Sequence, residues 1–316
     1  MKHRILTSAL LLSISFQAAA EIKPINSVAA EVNSTLITYG DIQRNIKELK
    51  SRPTNQGIPE AQLAQAAKNK LMERALLTDA ARQMGMKIMP NQIDAELTRR
   101  AQDAKTNVEQ LYQTAKANGY TRDTFRTEVA KDLLIEYLLT DLTDDIRISD
   151  AQINEFYATA QRNGTPLPQA QPYTVYTIRR LILNAGNKQN MPATGSRMNQ
   201  ILQAVQQGTA FEILVRRYSQ EPQAATHDGI HDNISEGMLP ATAENFLPQI
   251  QKGQILPPIA SGTTWQMIQL LDSRTETDPN KTQREAIRRS LLNAERQKAQ
   301  NSFIGQLQQN AIIREY

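Results

Sequence analysis

The chain has 316 residues, enough for two or three domains with cores of their own. It contains no cysteine, which excludes disulfides, thiolate metal sites and a cysteine nucleophile. A formal net charge of +4, from 36 basic and 32 acidic residues, is too balanced to indicate nucleic-acid binding by charge.

Residues 1–20 read as a signal peptide: Lys2-His3-Arg4, an apolar run from Ile5 to Phe16, and small residues Ala18-Ala19-Ala20 for cleavage after about Ala20. The run is too short to span a bilayer, and no later stretch is a membrane span. The mature chain is therefore expected to be exported and to carry no transmembrane anchor. Val28–Val32 and Thr35–Thr38 flank the turn pair Asn33-Ser34 as a hairpin. Thr38 and Asp41 form a capping box for a helix carrying Ile42, Ile46 and Leu49. After a loop over 53–59, a long helix is expected from Pro59 to Met84, stopped by Gly85.

Further helices start at Pro90 and near Thr106. A fifth carries Phe125, Val129, Leu133, Leu134, Tyr137 and Leu138, a stripe too wide for a lone helix, so neighbours are expected to cover it. Ser149 caps another, running through Phe156. The Pro-rich stretch 164–172 is the clearest boundary in the chain. Next come an alternating strand from Tyr173 to Leu183, a loop from Asn184 to Gly195, and a helix with Met198, Ile201, Leu202 and Val205. Phe211–Ser219 has helical spacing, and Thr264–Leu271 reads as a last strand. A final helix from about Thr282 to Gln309 is too mixed to stand alone, so it is expected to pack on the N-terminal helices, with Ala311-Ile312-Ile313 adding a short strand.

Gly208-x-x-Phe211-x-x-Leu214-x-x-x-Tyr218-Ser219, then Glu236-Gly237-Met238-Leu239-Pro240, then Gly253-x-Ile255-x-x-Pro258-Ile259, resembles a parvulin-type peptidyl-prolyl isomerase domain. With an exported helical region before it and a long helix after it, the whole chain resembles the SurA-like periplasmic chaperones. One such module is present, where the best-known members carry two. The resemblance implies an α+β protein: a helical chaperone domain over 21–163, completed by a C-terminal helix over 282–316, and a parvulin-like module over 173–274. It also implies periplasmic, ATP-independent binding of unfolded outer-membrane protein segments. No Gly-rich phosphate loop is present, and no cofactor is expected.

Prolyl isomerisation faces a barrier of about 20 kcal/mol, so a catalyst must hold the ring in an apolar pocket and favour the twisted amide. Parvulin-like domains set two histidines and an Asp or Cys beside that pocket. Here Arg180 and Gln266 stand at the histidine positions and Ile230 at the acid or thiol position, so no catalytic residue of the trio is retained. Of the lining, Met238 is kept, Thr242 replaces a phenylalanine, and Phe246 and Trp265 are further candidates for peptide contact. A guanidinium at Arg180 would repel a proline ring unless turned away.

His227-Asp228-Gly229-Ile230-His231-Asp232 has metal-like composition, but Gly229 breaks any helix that would align the histidines, so a solvated loop without metal is expected. Met84, Met86 and Met89 fit either a buried helix end or an adaptable apolar surface. Three functions stay open: a chaperone with a degenerate module, an isomerase using surrogates such as His227 or His231, and a partner-specific adaptor.

Overall fold

The computed structural model describes residues 27–316 apart from 223 and 236. The expected signal peptide and Glu236 of the parvulin-like motif lie outside the described residues. In chain order the elements are β1 (Val28–Val32), β2 (Thr35–Thr38), α1 (Tyr39–Lys50), α2 (Glu60–Gln83), α3 (Pro90–Asp103), α4 (Val108–Ala117), α5 (Arg122–Thr143) and α6 (Asp150–Asn163). They continue with β3 (Tyr173–Asn184), α7 (Met191–Gln206), α8 (Phe211–Tyr218), α9 (Ala224–His227), β4 (Ile230–Ile234) and α10 (Ala241–Phe246). β5 (Ile259–Ser261), β6 (Thr264–Glu276), α11 (Pro279–Asn310) and β7 (Ile313–Glu315) complete the chain. The fold is α+β, and among the described residues no helix is long and apolar enough to cross a membrane.

Contacts divide the chain into two compact units, one running up to Met72 and resuming over Ile312–Tyr316, the other spanning Glu73–Ala311. In the first, β1 is the centre of a three-stranded sheet ordered β2-β1-β7. Asn33 takes φ +52 at the hairpin turn and exchanges two hydrogen bonds with Ile312, its N–H donating to the Ile312 carbonyl (2.8 Å) and its Oδ1 accepting from the Ile312 N–H (3.0 Å). Thr38 and Asp41 make the reciprocal capping box that starts α1, which buries Ile42 and Ile46.

In the second unit, α3, α4 and α5 share a core of Leu97, Tyr112, Val129 and Leu133. The opposite side of α5 gives Leu134 and Leu138 to a cluster with Leu77, Ala80 and Ala81 of α2. Phe303, Ile304 and Leu307 of α11 pack against it. The wide stripe on α5 thus has neighbours on both flanks. Arg74 of α2 reaches Asp132 and Glu128 of α5, and Arg100 of α3 reaches Asp132 at 3.1 Å, so charge closes the gaps between these helices.

Residues 173–276 form a four-stranded antiparallel sheet ordered β4-β3-β6-β5. One face, with Leu181, Leu183 and Met267, packs on Met198 and Ile201 of α7 and Phe211, Leu214 and Val215 of α8. The other, with Ile178, Ile268 and Leu270, packs on Leu239, Ala243, Leu247 and Leu256.

Two loop expectations change. The segment expected as loop up to Gly195 is helical from Met191, because Pro192 sits in its first turn, where a missing N–H costs nothing. Gly195 serves packing: a Cβ there would lie 2.7 Å from Cζ2 of Trp265. The expected loop over 227–232 holds the end of α9 and the start of β4, because Asp228 (φ +54) and Gly229 (φ +63) turn the chain back along β3.

Candidate functional site

The site belongs to the edge of the sheet where β3 runs beyond β4. Directly opposed residues in an antiparallel pair share a face. Arg180 lies opposite Ile268, and Ile182 opposite Gln266, so Arg180 and Gln266 both stand on the face carrying Ile178 and Ile268. The loop after α8 continues the sheet edge at this point. Ser219 Oγ accepts from the Ile182 N–H (3.1 Å), the Gln220 N–H donates to the Ile182 carbonyl (2.8 Å), and Gln220 Oε1 accepts from the Asn184 N–H (2.5 Å). Ser219 of the sequence motif, with Gln220, therefore satisfies strand backbone and fixes the next residue, Glu221.

Glu221 is the centre of the site. Its carboxylate accepts from the Arg180 guanidinium, with Nε 3.4 Å from Oε2 and a closer contact from the other nitrogen to Oε1. Oε2 also lies 3.0 Å from Nε2 of His231. The Glu221 side chain is 9% exposed and that of Arg180 20%. Burial pushes the Glu221 carboxyl upward, but the hydrogen bonds from His231 and Arg180 outweigh it and hold it below the usual carboxylate value. The result is a closed ion pair: the fixed cation is turned onto an acid and away from any pocket.

Ile230, expected from the resemblance at the acid or thiol position, lies opposite Arg179 and so faces away from Arg180; it is exposed. His231, opposite Ile178, is the residue of β4 that joins the Arg180 face. His227 ends α9 as an exposed side chain outside the cluster. Gln266 is 4% exposed, and its buried Oε1 has no hydrogen-bond partner among the described residues.

The three lining candidates are not brought together. Met238 is half-buried and its sulfur takes the Ser235 N–H at 3.5 Å. Phe246 ends α10 with 47% of its surface exposed. Trp265 is on the other face of the sheet, packed with the α7–α8 cluster, its Nε1 donating to the Met191 carbonyl at 2.9 Å. Alternation along β6 sends Trp265 and Gln266 to opposite faces, so an aromatic adjacent to a pocket residue cannot line the same pocket.

Sequence reasoning missed Glu221. The available signal was a pair of arginines, Arg179-Arg180, on a strand with no acid in that strand, followed by Ser219-Gln220-Glu221 after the next helix pair. Among the described residues no group of three or more His, Cys, Asp or Glu side chains gathers as a metal site requires.

Residues 4–139 match the model of the SurA-like N-terminal domain, and residues 181–272 that of the PPIC-type PPIase domain. A curated relative, "Chaperone SurA" of Nitrosococcus oceani, is 24% identical over 86% of this chain and 64% of its own length. Another of the same name, from a Shewanella species, is 25% identical over 83% of this chain and 61% of its own. The chain thus spans somewhat under two thirds of the curated relatives it matches. Among solved structures, a SurA-like chaperone of Campylobacter jejuni aligns over 92% of this chain and 99% of its own, at 16% identity and a TM-score of 0.40. The chain is SurA-like, joining a SurA-like N-terminal domain to one parvulin-type module.

Proposed function

We propose that this protein is a periplasmic, ATP-independent chaperone that holds unfolded segments of outer-membrane proteins, with a parvulin-type module that catalyses prolyl isomerisation weakly or not at all. In this reading residues 21–163 and 282–316 make one chaperone domain and 173–274 the module. The packing of Phe303, Ile304 and Leu307 on Leu134 and Leu138 supports that grouping. The SurA-like match over 4–139 and the names of the curated relatives support the chaperone role.

The observation that carries the catalytic part is Glu221 holding both Arg180 and His231. Each tenfold of rate requires about 1.4 kcal/mol of differential stabilisation of the twisted amide. Groups already satisfied by each other must break a buried ion pair before they can supply it. The test compares proline-limited refolding with suppression of client aggregation by the same mature chain. Suppression without acceleration is expected. Strong acceleration, abolished by His231→Ala, would make the module an enzyme. Acceleration without suppression would overturn the chaperone reading.

A further inference from the structure

Where α2 ends against α5 the surface opens into a groove of about 490 Å³. Its form follows from the helix stop. Gly85 takes φ +78, its N–H donates to the Arg82 carbonyl (2.9 Å), and the Met86 N–H reaches back to the Ala81 carbonyl (3.0 Å). That reversal turns Met86 and Ile88 inward onto the cluster containing Leu134, and leaves Met84 and Met89 outside, 49% and 60% exposed. Beside Met89, the Gln92 amide accepts its N–H (2.7 Å) and donates to the hydroxyl of the exposed Tyr137 (3.4 Å), tying the start of α3 to α5. Of the three methionines singled out in the sequence, Met86 packs against the core and Met84 and Met89 face outward, with Met89 lining the groove.

The charges at this groove are of one sign. Arg82, Lys87 and Lys131 line it, and no acidic side chain does. Lys131 is paired with Glu128 at 2.7 Å. Arg82 and Lys87 are exposed and have no ion pair or hydrogen bond to another side chain among the described residues. Elsewhere in these helices the arginines are engaged: Arg74, Arg99, Arg100 and Arg126 each meet an acid. Two unpaired cations beside a floor of thioether, isoleucine and leucine make a surface complementary to an apolar side chain flanked by carboxylates. The volume suits one or two large side chains.

We propose that this groove is a docking site for short non-native polypeptide segments in which a large apolar residue is flanked by Asp or Glu. The proposal rests on the chaperone reading and gives that reading a preferred sequence class. Methionine side chains adapt to different apolar shapes, so the selectivity comes from the flanking charge and not from the identity of the apolar residue.

The test measures fluorescence anisotropy of short labelled peptides with a Leu-Phe centre flanked by Asp, Ser or Lys, titrated with mature protein. The Asp-flanked peptide is expected to bind about tenfold tighter than the Lys-flanked one at low salt, the margin shrinking as salt rises. Arg82→Glu with Lys87→Glu should invert the order, and Met89→Ser should weaken all three. All three residues are exposed, and circular dichroism verifies the folding of both variants. Equal binding of the three peptides, or a preference that survives the charge reversal, would overturn the groove. So would sedimentation as a dimer that the reversal dissolves, with no flank preference. Aggregation suppression by the wild type is run alongside. Suppression without flank preference sinks the groove alone, and flank preference without suppression sinks the chaperone reading alone.

Discussion

Asp144, just past the C-terminus of α5, accepts the N–H of Ala241 at the start of α10 through Oδ1 at 2.8 Å. Its Oδ2 also accepts from the Ser261 hydroxyl of β5. Asp144 is 6% exposed, so the end of α5 and the parvulin-type module meet through a buried charge. Glu285 of α11 repeats the device, being 2% exposed and accepting from Ser235 Oγ at 3.0 Å while held by Arg288 and Arg289. The segment 164–172, which the sequence marks as a linker, therefore joins parts that also touch elsewhere.

Asp144→Ala removes the buried acceptor of two half-buried donors, so a loss of about 2 kcal/mol is expected. Ser235→Ala leaves Glu285 its two arginines and should cost about 1 kcal/mol. Urea unfolding of the mature chain checks both. Equal effects of the two changes would mean that the donors left by Asp144→Ala find water.

Glu221→Gln strips the counter-charge from Arg180 and should destabilise the chain by about 3 kcal/mol at neutral pH. Arg180→Met combined with Glu221→Leu should recover most of that, since a well-packed apolar pair often equals a buried ion pair. A double-mutant cycle with no coupling would show the pair to be energetically idle.

The pH dependence follows from the same carboxyl. The folded-state pKa of Glu221 lies below the ordinary 4.5, so protons bind the unfolded chain more readily. Its contribution is complete above the unfolded value and is lost as pH falls through the folded one. Glu96, lowered by hydrogen bonds from Arg99 and Arg100 against the opposing pull of burial, carries the same sign. The stability gap between wild type and Glu221→Gln should close on acidification below about pH 4. A gap that widened there would reverse the assignment.

Two helix glycines predict opposite outcomes. Gly195→Ala drives a methyl into the Trp265 ring and should cost about 1–3 kcal/mol, with a shifted emission from the chain's one tryptophan. Gly305→Ala on α11 meets nothing within 4 Å and should stabilise by about 0.5–1 kcal/mol. Thermal unfolding followed by tryptophan fluorescence reads both.

Truncation after Asp278 removes α11 and uncovers the Leu77, Leu134 and Leu138 cluster. At about 0.8 kcal/mol per buried methylene, the loss should amount to several kcal/mol, visible as a lowered denaturant midpoint. An unchanged midpoint would show that this packing contributes nothing.

The local elements were legible because their signals are local. Thr38 with Asp41, Ser149 ahead of α6 and Gly85 after α2 announce helix ends through their own side chains or φ. The wide apolar stripe of α5 announced that neighbours must cover it, and the structure divides that cover between two clusters. The expected replacement of the catalytic trio by Arg180, Ile230 and Gln266 was likewise readable from a motif in order. What these residues do instead was not. Glu221 lies 41 residues from Arg180, and only the return of the loop after α8 along β3 brings them together. His231 rather than Ile230 shares their face because the turn at Asp228 and Gly229 sets the register of β4. Trp265 left the pocket by the same rule of alternation. Sequence determined most of the helices and the main strands, though not the helical start at Met191 or the strand at Ile230–Ile234. Register and loop return, set by long-range pairing that no local pattern encodes, decided which side chains meet.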